Sequence, residues 1–190
     1  MRKKTMKFDR SAVRFGVFAI YAAMQCSYAV AGSHTQEASV TQVRSIASLK
    51  ELLGRSATLL PSGNMLLVGG QSAGEMSGLI AAENPQTGAV KTLPISLVFH
   101  RAFHTATLLT DGSVLVFGGT GTGNKVVPDA ERIDLTIGSV QPIGTGALTP
   151  RAYHTATLLT DGTVLFAGGV DGNGATLNSL EVWDYRTGTV

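Results

Sequence analysis

Arg101 to Gly119 reads RAFHTATLLTDGSVLVFGG, and fifty residues later Arg151 to Gly169 reads RAYHTATLLTDGTVLFAGG. A third, more diverged copy lies forty-nine residues upstream at Ala57 to Gly70, ATLLPSGNMLLVGG. The similarity runs past the glycines. Ala130 to Val140 (AERIDLTIGSV) pairs with Leu180 to Val190 (LEVWDYRTGTV), and more loosely with Ile80 to Val90 (IAAENPQTGAV). Self-similarity at a fixed period means that each unit is one supersecondary piece, unable to bury its apolar surface alone and completed by its neighbours.

Within a unit the residues predict strands. Thr105 to Leu109 is rich in Thr and Leu, Thr110-Asp111-Gly112 supplies a tight turn, and Val114 to Phe117 is apolar throughout. An apolar run this short between turn signals suits a strand buried on both faces better than a helix. The pairs Gly69-Gly70, Gly118-Gly119 and Gly168-Gly169 end that strand where a side chain would obstruct a neighbouring backbone or the next bend. A third strand over about Ala130 to Leu135 and a fourth over about Ser139 to Ile143 make four antiparallel strands per unit.

Four-stranded units at a period near fifty match the arithmetic of a β-propeller blade. The residues resemble the kelch-repeat family, and in particular secreted bacterial kelch-like proteins related to the central propeller domain of galactose oxidase. The resemblance rests on the three glycine pairs, on the spacing of Glu131 to Asp134 and Glu181 to Asp184, and on Arg-x-x-His at 101 to 104 and 151 to 154. It covers about Val40 to the C-terminus. Two departures stand out: the Trp expected near the fourth strand is missing from every unit, and Arg55 sits where the other units carry His. The expectation is an all-β chain of about three kelch-type blades, forming an incomplete ring or half of a six-bladed one. Repeats span about 54–100, 101–150 and 151–190, the last lacking its outer strand.

The ends bear on closure. Val190 corresponds to Val140 and Val90, while Ser39 to Val43, in an N-terminal segment 32–53, stands where a fourth strand belongs. Three twisted sheets do not fill a circle, since propellers need about four to eight. The chain is then either a piece of a larger propeller or one half of a homodimer, each N-terminal strand completing the partner's third unit.

The chain has 190 residues, 44% hydrophobic and 15% charged, which excludes a disordered tail. Its 15 Lys and Arg against 13 Asp and Glu suggest a basic protein until they are located. Arg2, Lys3, Lys4, Lys7, Arg10 and Arg14 precede an apolar stretch, Phe15 to Ala31, that ends Ala29-Val30-Ala31. That is the layout of a secretory signal peptide over 1–31, and it predicts a secreted or periplasmic protein. Cleavage leaves 9 basic and 12 acidic residues, a net of −3. With no Lys/Arg cluster either, a nucleic-acid partner is not expected. No apolar run after the signal is long enough to span a membrane. The single Cys26 leaves with the signal, and Gln25 before it does not suit a lipoprotein acceptor.

Chemistry is sparse. Gly70-Gln71-Ser72-Ala73-Gly74 matches G-x-S-x-G, but Ser77-Gly78 interrupts the helix a nucleophile elbow requires. Gly119 to Gly123, GTGTG, also lacks a following helix, and Asp171-Gly172-Asn173 lacks the later ligands of a calcium loop. No metal or cofactor is expected. Copper chemistry of the galactose oxidase kind needs a Cys cross-linked to Tyr, and the chain after the signal has no Cys.

His104 and His154, with Arg101 and Arg151, occupy equivalent places in neighbouring units, and two readings fit them. Each fastens its strand start to the adjacent unit by hydrogen bonds, as repeated residues in repeat architectures do. Alternatively, by resemblance to kelch adaptors, Arg101, His104, Arg151, Tyr153 and His154 line a ligand-facing channel mouth. The function expected is an exported interaction module recognising a protein or glycan. The competing expectation is an extracytoplasmic carbohydrate-active enzyme of mutarotase or oxidase type.

Overall fold

Each copy of the repeated stretch folds into a hairpin, and the turn chemistry explains why. Asp111 Oδ1 accepts hydrogen bonds from Ser113 N at 2.9 Å and Ser113 Oγ at 2.6 Å, and Asp161 holds Thr163 in the same way. Gly112 and Gly162, with φ of 83° and 84°, occupy the left-handed region that such a turn demands.

A computed structural model describes residues 52–190, which fall within one compact unit. The signal peptide and the ring-closing strand expected at Ser39 to Val43 lie outside the described residues. The first repeat forms β1 (Ser56–Leu59), β2 (Met65–Val68), a short pair β3 (Gln71–Ser72) and β4 (Glu75–Met76), then β5 (Leu79–Glu83) and β6 (Val90–Ser96). The second forms β7 (Thr105–Leu108), β8 (Val114–Phe117), β9 (Ala130–Asp134) and β10 (Ser139–Ile143). The third forms β11 (Thr155–Leu158), β12 (Val164–Ala167) and β13 (Leu180–Trp183).

The chain is all-β, and its sheets are antiparallel meanders in chain order: β1-β2-β5-β6, β7-β8-β9-β10 and β11-β12-β13. Their registers agree: Ser56 faces Val68, Thr105 faces Phe117, and Thr155 faces Ala167. The strands read at Val114 to Phe117 and Ser139 to Ile143 lie where the residues predicted them, and the first two sheets have four strands each.

The three sheets pack face to face through two cores. Leu66, Val68 and Ile80 of the first meet Val114, Val116 and Ile133 of the second. Leu115, Phe117 and Ala130 of the second meet Val164, Phe166 and Trp183 of the third. Alternate residues of β8 thus serve opposite cores, so all four are buried. Trp183 is fully buried, its ring 6.4 Å from Phe117 and 6.3 Å from Phe166. Burying each such side chain contributes about 1.5–3 kcal/mol. Among the described residues the stack is open at both ends rather than closed into a ring. No helix there is long and apolar enough to cross a membrane.

Candidate functional site

The starts of the inner strands gather the residues that the sequence singles out. Arg101 is fully buried, and its Nη2 lies 2.7 Å from Oε2 of the equally buried Glu131. Arg101 Nε donates to the Phe99 carbonyl at 3.1 Å, and Nη1 to the carbonyls of Gly118 at 3.0 Å and Asp129 at 2.8 Å. Glu131 in turn accepts from Val98 N at 2.6 Å and Phe99 N at 3.3 Å. One ion pair therefore ties the third strand, the glycine pair and the loop before the inner strand together. The third repeat copies it: Arg151 pairs with Glu181, which holds Thr149, and Nη1 of Arg151 donates to the Gly168 carbonyl at 3.1 Å. Desolvation lowers the Arg101 pKa from its ordinary value, against the pull of Glu131.

The first repeat carries Leu52 and Ala81 at these positions, so both members of the pair are replaced together. A lone buried charge would cost several kcal/mol, whereas an apolar pair does not.

His104 and His154 join adjacent sheets. Nε2 of His104 lies 2.9 Å from Ser56 Oγ, and Nε2 of His154 lies 3.0 Å from Thr105 Oγ1. Nδ1 of each ring makes no well-formed hydrogen bond. Burial, then the charges of Arg101 and His154, push His104 down to about 3; burial and Arg151 push His154 down to about 4. Both imidazoles are neutral at pH 7. Among the described residues no group of three or more His, Cys, Asp and Glu side chains could hold a metal ion.

The glycine pairs sit against the same strand starts. Gly70 N donates to the Arg101 carbonyl and Gly119 N to the Arg151 carbonyl, each at 2.9 Å. A Cβ on Gly69 would lie 2.4 Å from the Arg101 carbonyl oxygen, and one on Gly118 only 2.1 Å from that of Arg151. The close backbone approach inferred from the sequence is thus an approach between sheets.

Phe103 and Tyr153 point elsewhere. Their rings stack at 4.5 Å with 27° between planes, and Tyr153 is 58% exposed. Both have φ of 58°, uncommon for bulky residues and costing on the order of 1–3 kcal/mol. The strained conformation feeds a backbone relay: Phe103 N donates to the Gly54 carbonyl at 2.6 Å, and Tyr153 N to the Phe103 carbonyl at 3.0 Å. Around this stack lie the segments that follow each glycine pair, with Ala102 bridged to Thr120 and Ala152 to Val170. These segments differ between repeats: the β3–β4 hairpin, a 3-10 turn at Thr122–Asn124, and the Asp171 turn, whose carboxylate accepts from Asn173 N and Ala175 N. Ser72 lies on β3 of a hairpin turning through Ala73 and Gly74, where a nucleophile elbow would have a helix. Beside the second segment Val98, Phe99, His100, Gly121, Thr122 and Val127 line an open hollow of about 350 Å³.

Of the five residues singled out for binding, Tyr153 alone is exposed; the two Arg and two His turn inward to protein partners. Phe103, as stacking partner, and Glu131 and Glu181, as counter-ions, were not picked out as site residues. Their recurrence at a spacing of fifty was the available signal. No family model matches this chain, and no curated protein matches it either.

Proposed function

We propose that this chain is an exported kelch-type propeller segment acting as an interaction module, with its ligand taken at the end of the sheets where Phe103 and Tyr153 stack. The observation that carries the reading is the aromatic stack of half-buried Phe103 with exposed Tyr153, held on a repeated backbone frame beside segments that vary between repeats. A rigid scaffold with variable loops at one end is how many folds host recognition. A fixed aromatic ring with a polar tip offers large contact area at low entropic cost, and suits the apolar face of a sugar or a protein side chain. Export is supported by the basic segment, apolar stretch and Ala-x-Ala site of residues 1–31.

Calorimetric titration of the chain with a panel of defined oligosaccharides, repeated on Tyr153→Ala, tests the reading. Saturable binding that Tyr153→Ala removes supports it. Binding that is the same in both proteins puts the site elsewhere and overturns it, and a blank panel removes the glycan arm, leaving a protein ligand to be sought by the same Tyr153 comparison.

A further inference from the structure

We infer that the outward face of the third sheet docks the outward face of the first sheet of a second copy of this chain. The inference rests on the repeat geometry alone and requires no ligand at Tyr153.

The described residues contain the same sheet-to-sheet contact twice. In each, an apolar row from one sheet, Leu66, Val68 and Ile80 or Leu115, Phe117 and Ala130, covers the next. In each, a hydroxyl at the start of the inner strand bonds the next sheet's histidine, and a glycine pair receives the next strand's carbonyl. Among the described residues nothing meets the same set on the third sheet. Thr155, equivalent to Ser56 and Thr105, is exposed, and Gly168 has open space where Gly69 and Gly118 meet a neighbour: its Cβ would find only the Leu177 carbonyl, at 3.7 Å. Leu180, in the place of the fully buried Ala130, is 69% exposed, and Val182 is 44% exposed.

The first sheet presents the complementary face. Leu59, which corresponds to the half-buried Leu108, is 60% exposed, and Leu53, which corresponds to the fully buried Ala102, is 65% exposed. Among the described residues, four of the eight large hydrophobic side chains that are exposed, Leu53, Leu59, Leu180 and Val182, lie on these two end faces. Apolar surface scattered singly needs no explanation, but surface gathered on two complementary faces marks an interaction site.

The second copy is the occupant because this chain carries both apolar halves of the contact, with Arg55 standing where the histidine of the other two contacts would be. The strand start Leu52 to Arg55 is the remaining member of the row whose other members, at 101–104 and 151–154, are seated on a preceding sheet. Leu52 and Ala81 in place of the ion pair leave no buried charge to satisfy there, and Gly54 adds no side chain over Tyr153. Pairing third face to first face twice about a two-fold axis buries all four of these faces.

The purified chain is tested by sedimentation equilibrium together with Leu180→Lys and Leu59→Glu. Both positions are exposed, so each variant folds, which far-UV circular dichroism and melting confirm. The unaltered chain is expected to be a discrete dimer, and each variant alone to dissociate with affinity weakened at least about tenfold. An equimolar mixture of the two variants then regains dimer, because one interface is unaltered and the other pairs Lys with Glu. A monomeric unaltered chain, a ladder of growing species, or a dimer indifferent to both substitutions overturns the inference. Oligosaccharide titration of the same samples keeps the outcomes separate, since a monomer that binds through Tyr153 leaves the proposed function standing.

Discussion

Arg101 Nη2 lies 2.7 Å from Glu131 Oε2 with both side chains wholly removed from solvent, thirty residues apart in the chain and within one repeat. Removing one partner leaves a buried uncompensated charge, and Glu131 also holds two backbone amides of the preceding loop. Glu131→Ala is therefore expected to lower unfolding free energy by about 3–5 kcal/mol. Replacing both together, Arg101→Leu with Glu131→Ala as in the first repeat, recovers a large part of that loss. Urea denaturation of the two single variants and the double variant checks this; equal losses in the double variant and the sum of the singles would count against it.

The neutral histidines make stability depend on pH. The His104 pKa falls to about 3 in the folded chain from an ordinary 6.5, so between these values the unfolded chain binds more protons. Its contribution is complete above pH 6.5 and is lost as pH falls toward 3, and His154, at about 4, acts in the same direction. From pH 6.5 to 5 each histidine adds a slope approaching 1.4 kcal/mol per pH unit. His104→Gln is expected to flatten the stability profile in that window. An unchanged slope in denaturation curves at pH 5 and 7 would sink the expectation.

Gly118 and Gly168 share the same left-handed backbone, with φ of 65° each, but differ in what lies above them. Alanine at either position costs about 1 kcal/mol in backbone strain. At Gly118 the new Cβ also meets the Arg151 carbonyl oxygen at 2.1 Å, which forces the second and third sheets apart. Measured in the Leu180→Lys background, where the chain is expected to be dissociated, Gly118→Ala should be less stable than Gly168→Ala by about 1–3 kcal/mol. Melting curves giving equal losses would show that the inter-sheet approach does not matter.

Thr105 supplies the only hydrogen bond described for the buried His154 ring, at 3.0 Å to Nε2. Thr105→Val keeps the shape and removes the hydroxyl, at an expected cost of about 1–3 kcal/mol. Thr105→Ser restores most of it, and Thr155→Val, measured in the dissociated Leu180→Lys background where that position is exposed, changes stability by less than about 0.5 kcal/mol. Comparable effects at Thr105 and Thr155 would contradict the role given to the hydroxyl.

The architecture was legible wherever the information was local or repeated. The Asp-Gly turns, the apolar run at 114–117 and the glycine pairs each carry a physical requirement in their own residues. Recurrence at fifty positions showed that the units stack. The candidate site was less legible. Arg101 and His104 look alike whether they point into a channel or into protein, because the spacing of Arg-x-x-His does not reveal Glu131 thirty residues on or Ser56 in the preceding sheet. Tyr153 stands among the expected binding residues by resemblance alone, Phe103 does not, and the left-handed backbone of both follows from the inter-sheet relay through Gly54 rather than from any side-chain preference.

VLVF at 114–117 and VLFA at 164–167 are close to the same sequence, yet all four residues of the first are buried and only alternate residues of the second. The sequence by itself determined that both are strands with a turn before them and a glycine pair after, because backbone preference, turn chemistry and apolar content are local. Tertiary structure alone decided which faces of those strands are covered, since burial depends on whether another sheet lies against them. The same distinction turned Arg101 and Arg151 inward to their carboxylates and left Tyr153 open to solvent.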